Sequence, residues 1–208
     1  MPLFKTIPQA EGLIGVWHLT ETSDELLPFF SDQELADPVY LKYTHEKRKV
    51  EWLATRVLTK QLIGSDFTIS YTETGRPILN HLRYKYLSIS HSRHFVVVFV
   101  HESCQVGIDI EDTLRNYNSI EKRYLSDEEL LQTGKNPLLQ CLYWCAKEAI
   151  FKLVPDHEVD FRNQIHISPF NPEKEDLFLV KFKSGEGDSI HQLHFQIFGD
   201  HCMVWVAG

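Results

Sequence analysis

The sequence predicts an α+β fold in which antiparallel strands occur in both halves of the chain, with one long helix in each half. Two stretches carry apolar residues at helical spacing, one before residue 64 and one after residue 136. Short alternating or continuous apolar segments, typical of strands, surround both stretches. The chain has no internal repeat, low-complexity tract or Gly/Ser linker, so a division into lobes is inferred from the order of these elements.

The first half begins with a predicted strand at residues 13–19, and a polar loop then leads to a helix at 44–63. Gly64 ends this helix. Its apolar residues share helical spacing: Val50, Leu53, Val57, Leu58 and Leu62. Further strands are predicted at 67–71, directly after residues 75–77, at 87–90, at 95–100 and at 106–111, and the first two of these form a hairpin.

The second half contains a short helix and then a long one. A capping box at residues 126–129 opens the short helix, and Gly134 ends it. Asn136 and Pro137 start the long helix, and Pro155 ends it. The buried stripe of the long helix contains Leu138, Leu142, Cys145, Ala149 and Leu153. Strands are predicted at 161–167, 177–182, 193–198 and 203–206, with a turn at 184–188.

The composition is that of a globular protein, with 43% hydrophobic and 24% charged residues among 208. The formal net charge of -8 is the wrong sign for a protein that neutralises a nucleic-acid backbone. The longest strictly apolar run, residues 95–100, is too short to span a membrane, and the first residues do not resemble a signal peptide. We therefore expect a cytoplasmic protein with neither a nucleic-acid nor a membrane partner.

The four cysteines are too few for a disulfide framework in a chain of this length, and no CxxC pair occurs. Cys141 and Cys145 could face one another on the long helix, but no third or fourth ligand is nearby in sequence. We expect all four cysteines to be reduced and mostly to contribute to packing.

Two acids on one strand are the first candidate for chemistry. In the strand at residues 107–111, Asp109 and Glu111 share one face, while Ile108 and Ile110 share the other. Alternate residues on a strand have Cα atoms about 6.5 Å apart, so both carboxylates can reach one hard cation. In isolation, the same pattern also fits an exposed strand face whose acids serve solubility.

The second candidate is a stripe on the long helix. Trp144, Glu148 and Lys152 are spaced i, i+4 and i+8, so a ring, a carboxylate and an ammonium lie along one face. An exposed Glu–Lys pair of this spacing contributes only about 0.3 kcal/mol and would have no function. The tryptophan on the same stripe argues against full solvation.

With both motifs in view, the sequence resembles the 4′-phosphopantetheinyl transferase family, in its two-lobed class that acts on carrier domains of synthases and synthetases. The family signatures are a G-[I/V]-D-[I/V]-E strand and, further along, a W-x-x-K-E-[AS]-x-x-K helix. These correspond to residues 107–111 and 144–152. Two less specific family patterns also occur, G-[KR]-P at 75–77 and I-S-H-S at 89–92.

The resemblance implies a fold of two similar lobes related by a pseudo-twofold axis, each an antiparallel sheet packed on a long helix. The N-terminal lobe, residues 1–104, would contact the phosphates and adenine of coenzyme A. The C-terminal lobe, residues 105–208, would hold the metal and dock the carrier. Two lobes in one chain could make a complete site, so a monomer is expected.

The resemblance further implies transfer of the 4′-phosphopantetheine arm of coenzyme A to a serine of an acyl or peptidyl carrier protein, with release of 3′,5′-ADP. Asp109, Glu111 and Glu148 would hold Mg²⁺, or Mn²⁺ in its place. Lys152 would meet the phosphates, and Lys147 would assist the departing group. Either Glu148 or a water held by the acidic cluster would be the general base for the serine proton, and both assignments stay open.

By the same resemblance, Ser90 and His91 contact coenzyme A phosphates, although a surface histidine is the alternative for His91. The residues of the turn would lie against the adenine: Gly75, Arg76 and Pro77. Lys47 and Arg56 would supply cations to the 3′-phosphate, and solvated positions on a basic helix face are an equally weighted alternative.

Carrier docking is expected near residues 120–126, which precede the short acidic helix. An acidic chain must bind acidic carriers through a local basic or apolar patch. The candidates for this patch are Lys122, Arg123, Tyr124 and Leu125.

Two rival functions follow from the same residues. A metal-dependent nuclease could also combine acids with a lysine, but Lys147 precedes Glu148 within a helix and the net charge disfavours nucleic acid. Alternatively, the protein could bind coenzyme A or a carrier without turnover. The intact set of three carboxylates and Lys152 argues against that reading.

Overall fold

Two antiparallel sheets and two long helices build the computed structural model, which describes residues 3–154, 158–185 and 187–208. The strands are β1 (Leu3–Gln9), β2 (Gly12–His18), β3 (Thr68–Tyr71), β4 (Pro77–Asn80), β5 (Tyr86–His91), β6 (Phe95–His101), β7 (Val106–Asp112), β8 (Ile165–Ile167), β9 (Leu177–Ser184), β10 (Gly187–Phe198) and β11 (His201–Ala207). The α-helices are α1 (Ser23–Leu26), α2 (Asp32–Leu35), α3 (Pro38–Leu41), α4 (Glu46–Ile63), α5 (Glu121–Tyr124), α6 (Asp127–Thr133), α7 (Pro137–Leu153) and α8 (Phe161–Gln164). Single 3₁₀ turns occupy Leu27–Phe29 and Tyr117–Ser119.

The first sheet has the strand order β1-β2-β6-β5, and the second has the order β7-β11-β10-β9-β8. Every pairing in both sheets is antiparallel, and β3 pairs with β4 in a separate hairpin. The α+β class with antiparallel sheets is therefore confirmed.

The two sheets meet through a shared apolar core, and each long helix covers one outer face. Strand β6 is buried along its whole length because alternate residues serve two cores. Val96, Val98 and Val100 pack in the core beneath α4, whereas Val97 and Phe99 face the second sheet. On the other side, the residues of β11 alternate in the same way. Cys202, Val204 and Val206 face α7, and Met203 and Trp205 face the first sheet.

Both long helices form where the apolar spacing predicts them. Gly64 ends α4 with a positive φ of 86°, a conformation that favours glycine. The Asn136 carboxamide accepts from the backbone N–H groups of Leu138 and Leu139 and so caps α7. The capping box at Ser126 and Glu129 opens α6, and the left-handed Gly134 ends it. Pro155, expected to end α7, lies outside the described residues.

Several elements differ from the sequence prediction. The predicted strand at 161–167 is wrong in its first part, because Asp160 caps a short helix by accepting from the N–H groups of Arg162 and Asn163. Only Ile165–Ile167 is a strand. Strand β1 and the three short helices between residues 23 and 41 were not predicted. Among the described residues, none of the helices is long and apolar enough to cross a membrane.

Candidate active site

Gly107 brings the acid-bearing strand β7 against helix α7. A Cβ atom at this position would lie 1.9 Å from the carbonyl oxygen of Ala149, so only glycine allows the two backbones to approach this closely. The strand and the helix that carry the two sequence motifs are therefore adjacent. Side chains of β7 and α7 meet directly beyond this contact.

Asp109 is the buried centre of the site, with 5% of the residue exposed. Its Oδ1 accepts from Lys152 Nζ at 2.7 Å and from Ser90 Oγ at 2.6 Å. Lys152 Nζ also donates to the carbonyl of Ile108 at 2.9 Å. Asp109 Oδ2 is buried and has no hydrogen-bond partner among the described residues. A buried carboxylate oxygen without a partner is costly unless it serves a ligand, and cation binding would satisfy it.

Glu111 lies beside Asp109 on the same face, as the strand alternation predicts. Its Oε1 accepts from Trp144 Nε1 at 3.1 Å and from Arg115 Nη1 at 2.5 Å. Burial, together with the nearby charge of Asp109, raises the pKa of Glu111 to about 7. Arg115 was not singled out in the sequence as a residue of the acidic site, although it lies four residues after Glu111.

Glu148 completes the acidic cluster, which we define as Asp109, Glu111 and Glu148. Burial raises the pKa of Glu148 to about 7, with a further contribution from the charge of Asp109 and an opposing one from Lys152. The helical spacing predicted that Glu148 and Lys152 share a stripe with Trp144. Bonds from Trp144 to Glu111 and from Lys152 to Asp109 place this stripe against β7.

The acidic cluster has the chemistry of a site for a hard divalent cation. Burial and the charge of Asp109 raise the pKa values of Glu111 and Glu148, so an added positive charge would stabilise their ionised forms. Carboxylate oxygens are the ligands that Mg²⁺ and Mn²⁺ prefer. These residues therefore fit a divalent metal.

Ser90 is placed where it holds Asp109. Besides donating to Asp109, its hydroxyl oxygen accepts from the N–H of Ile110 at 3.4 Å. Two residues earlier, Ser88 Oγ accepts from the N–H of Ile108 at 3.1 Å. The two serines thus satisfy edge N–H groups of β7 and join the first sheet to the second.

Two adjoining cavities of about 240 Å³ each share Gly75, Pro77 and Ile89. We call them together the groove. One cavity also contains Lys152, and the other also contains His91. The turn at residues 75–77 therefore lies between them. Gly75 has a φ of 83°, which this turn requires.

Arg76 is directed at helix α7 and not simply into the groove. Its Nη2 donates to the carbonyl oxygens of Phe151 and Val154, at the C-terminal end of α7. A cation at this end is favoured by the helix dipole. Burial lowers the pKa of the guanidinium from its ordinary value. Arg76 thus links the β3–β4 hairpin to the helix that bears Glu148.

A basic cluster lies at the far end of the groove, around the buried carboxylate of Glu51. Its members are Lys47, Arg48 and His91, which lie 3.6, 2.9 and 3.5 Å from Glu51 oxygens. Burial lowers the pKa of His91, and the charges of Arg48 and Lys152 act in the same direction. Sequence reasoning missed Arg48 and Glu51, although their i, i+3 spacing on α4 is a signal for an ion pair.

Arg56 lies deeper on α4. Its guanidinium stacks on Trp52, with Cζ 3.5 Å from the ring centroid, and Nη2 lies 3.6 Å from Asp37 Oδ2. Burial lowers its pKa. Arg56 lines the same cavity as Arg48, whereas Lys47 is two-thirds exposed at the rim.

Lys147 does not join the acidic cluster, and this corrects the expectation that it assists the departing group. Its side chain is fully buried, and Nζ donates to Glu129 Oε2 at 2.7 Å and to the carbonyls of Phe161 and Ile165 at 2.8 and 2.7 Å. All three protons of the ammonium are engaged away from the groove. Lys147 therefore ties α7 to α6, to α8 and to the first residue of β8.

The segment expected to dock a carrier contains two exposed residues and two buried ones. Lys122 and Arg123 are exposed, whereas Tyr124 and Leu125 are 1% and 0% exposed. Tyr124 donates to the carbonyl of Gln140 and packs its ring against Trp144. The expectation that Tyr124 and Leu125 offer a docking surface is therefore wrong, because both belong to the core under α7.

Comparison with known proteins agrees with this geometry. Residues 105–203 match the family model of the 4′-phosphopantetheinyl transferase superfamily, and a search of curated proteins found no match. The matched region includes β7 and α7 with the whole acidic cluster, whereas the basic cluster lies outside it.

Residues 105–203 are thus a domain of the 4′-phosphopantetheinyl transferase superfamily. Enzymes of this superfamily use coenzyme A as the substrate and transfer its phosphopantetheine arm to carrier proteins. The domain is accordingly that of a transferase.

Proposed function

We propose that this protein transfers 4′-phosphopantetheine from coenzyme A to a serine of an acyl or peptidyl carrier protein in a Mg²⁺-dependent reaction of the holo-carrier synthase type, releasing 3′,5′-ADP. The observation that carries the proposal is the meeting of Asp109, Glu111, Glu148 and Lys152 within the matched domain, where Lys152 also lines the groove.

The metal would be held by Asp109, Glu111 and Glu148. The unpartnered Oδ2 of Asp109 supports this assignment, because it is a buried acceptor that the described residues leave unsatisfied. When bound, Mg²⁺ or Mn²⁺ supplies positive charge that neutralises the pyrophosphate oxygens of coenzyme A.

Lys152 would meet the phosphates. It lies one helical turn from Glu148 and 2.7 Å from Asp109, so its ammonium is at the border between the acidic cluster and the groove. With 24% of its side chain exposed, it is reachable by a ligand in the groove. An ammonium at this position stabilises anionic oxygens by a charge-assisted hydrogen bond.

The serine proton of the carrier would pass to Glu148 or to a water held by the acidic cluster. A base acts best when its pKa lies near the operating pH, and the raised pKa of Glu148 meets that condition. A carboxylate that binds the cation is a weaker proton acceptor, so metal binding and base catalysis compete at Glu148. The water is therefore the second candidate.

Coenzyme A would lie along the groove. The 3′-phosphate would meet the basic cluster, with Arg48 and His91 at its centre, Lys47 at the rim and Arg56 in the wall. The adenine would lie against the turn of Gly75, Arg76 and Pro77. Ser90 would act through Asp109, so its contact with the phosphates is indirect.

Carrier docking is proposed at the exposed cations Lys122 and Arg123, which suit an acidic partner. The chain would work as two lobes, residues 1–104 and 105–208, in a cytoplasmic monomer. The junction falls in the turn between β6 and β7, and Gln105 of this turn lines one cavity of the groove.

The direct test is a transfer assay with purified protein, coenzyme A, Mg²⁺ and several apo-carrier proteins, read by mass spectrometry of the carrier. We expect the carrier to gain one phosphopantetheine, and chelation of the metal to stop the reaction. Asp109→Asn should abolish transfer. Asp112→Asn is the matched control, because Asn keeps the oxygen that accepts from the N–H of Leu114.

A protein that binds coenzyme A tightly but modifies none of the carriers would point instead to the binding module without turnover. Full activity in the presence of chelator would contradict the proposed dependence on Mg²⁺.

A further inference from the structure

Three cysteines meet in the core directly behind the acidic cluster. Cys141 and Cys145 lie on α7 and Cys202 lies on β11, and all three are fully buried. Their sulfur atoms lie within 4.8 Å of one another. No third ligand is near Cys141 and Cys145 in sequence, but the pairing of β11 with β7 brings Cys202 to the helix.

The closest pair in this cluster is Cys141 and Cys202. Their Sγ atoms are 2.9 Å apart, whereas Cys145 Sγ lies 3.7 Å from Cys202 Sγ. Non-bonded heavy atoms in a protein core normally pack at about 3.5–4.0 Å, and a disulfide needs about 2.05 Å. A bond between Cys141 and Cys202 thus needs a closure of less than about 1 Å.

The surroundings favour a neutral product. The thiols are enclosed by apolar residues of the core under α7, and the Tyr117 hydroxyl, shared between Cys141 Sγ and the carbonyl of Asp112, is a polar neighbour. The charge of Asp109 reaches both Cys141 and Cys202. A divalent metal held by three thiolates would carry a net negative charge, and it would lie beside the acidic cluster, which is itself negatively charged. A disulfide carries no charge.

We propose that Cys141 and Cys202 form an oxidisable dithiol site, which a peroxide converts into a disulfide joining α7 to β11. The sulfur of Cys141 attacks one peroxide oxygen, the O–O bond breaks, and a sulfenic acid and one water are formed. The sulfur of Cys202 then attacks the sulfenic sulfur and displaces its hydroxyl, which leaves as a second water with the thiol proton. Two thiols are oxidised and one hydrogen peroxide is reduced.

The bond would fix the two elements that support the acidic cluster. Cys202 lies opposite Glu111 in the β7–β11 ladder, and Cys141 precedes Trp144, which donates to Glu111. The disulfide closes a loop of about 60 residues, for which the chain-entropy relation gives a rise in Tm of about 10 °C in a protein of this size.

The test uses the full-length protein with Cys104 replaced by serine, because Cys104 is the partly exposed cysteine. The protein is treated with hydrogen peroxide, and its mass, its disulfide-linked peptides and its Tm are measured before and after reduction with dithiothreitol. We expect the loss of two hydrogen atoms, a linked peptide pair containing Cys141 and Cys202, and a Tm increase that reduction reverses.

Cys145→Ser and Cys202→Ser are the matched variants. Cys145→Ser should still lose two hydrogens, because the 2.9 Å pair remains, and Cys202→Ser should not. If Cys202→Ser does not fold, the peptide map of the Cys104→Ser protein decides alone. Oxygen addition without hydrogen loss, a linkage through Cys145, or a soft metal retained on the three thiols would each overturn the proposal.

Discussion

Two buried groups of charges contact α7, one from α6 and α8 and the other from β7, and they differ in how well their charges are matched. In the first group, Glu129 accepts hydrogen bonds from Lys147 Nζ and from the N–H groups of Ser126 and Ile167. Lys147 Nζ also donates to two backbone carbonyls. In the acidic cluster, Asp109 Oδ2 has no partner among the described residues, and two carboxyl groups have pKa values raised to about 7.

This difference in charge matching distinguishes a group that stabilises the fold from a group that can bind a ligand. A fully matched buried pair needs nothing further and holds helices in place. An unmatched group of carboxylates is stable only because something outside the chain completes it, or because it remains partly protonated. The two lysines of α7 lie only five residues apart, yet Lys147 belongs to the matched group and Lys152 to the unmatched one.

The largest expected effect is on stability, from Lys147→Ala. Removing the ammonium leaves Glu129 buried without its cation, which costs about 3–5 kcal/mol and lowers Tm by about 10 °C. Turnover per folded molecule should remain normal. Thermal unfolding and an activity assay at low temperature check both parts, with exposed Lys174→Ala as the control. A stable but inactive Lys147→Ala protein would return Lys147 to the active site.

The opposite pattern is expected for Lys152→Ala. Loss of one charge-assisted hydrogen bond to a phosphate costs about 1.5–3 kcal/mol, which lowers kcat/KM by roughly ten- to a hundredfold. The Tm should fall by less than in Lys147→Ala, because Lys152 is partly exposed and Asp109 keeps the hydrogen bond from Ser90. Lys152→Arg should recover only part of the loss, since a planar guanidinium replaces a point charge. Unchanged kinetics toward coenzyme A would show that Lys152 is only an exposed partner of Asp109.

Ser90→Ala sharpens the comparison at Asp109. Without the hydroxyl, Asp109 loses one of the two hydrogen bonds that orient it. The Mg²⁺ concentration for half-maximal activity should therefore rise about tenfold, while KM for coenzyme A stays nearly constant. Ser88→Ala is the matched control, because it removes the bond to the N–H of Ile108 and leaves Asp109 untouched. A rise in KM for coenzyme A alone would mean that Ser90 contacts the phosphates directly.

The smallest effect is expected in the basic cluster, where Glu51 already balances the cations. Arg48→Ala should raise KM for coenzyme A by about fivefold, and exposed Lys47→Ala by about twofold, consistent with less than about 1 kcal/mol for surface charges. Neither substitution should change kcat or the Mg²⁺ requirement. The comparison uses steady-state kinetics with coenzyme A varied, and equal effects of the two variants would contradict the placement of Arg48 inside the groove.

Local sequence patterns predicted the site well where the relevant residues lie on one element. Strand alternation placed Asp109 and Glu111 on one face, and helical spacing placed Glu148 and Lys152 on one stripe. The end of α4 at Gly64 and the start of α7 at Asn136 were predicted for the same reason, since a breaker and a cap act within a few residues. The strand β1 was missed because it lies at a sheet edge and its partner β2 supplies the ordering contacts.

The remaining features depend on contacts between distant segments. Lys147 is buried because α6, α8 and the first residue of β8 supply its acceptors, and these contacts cannot be predicted from its neighbours in sequence. Tyr124 and Leu125 are in the core because α7 packs over them. Cys202 joins the two helical cysteines only through the register of β11 with β7.

Calorimetric titration of Mg²⁺ into the protein with coenzyme A bound tests the central claim most directly, because no carrier and no turnover are needed. The account predicts saturable binding to the wild-type protein and to Asp112→Asn. Binding to Asp109→Asn should be at least about tenfold weaker. Equal Mg²⁺ affinity in Asp109→Asn and wild-type protein would contradict the assignment of the acidic cluster as the metal site.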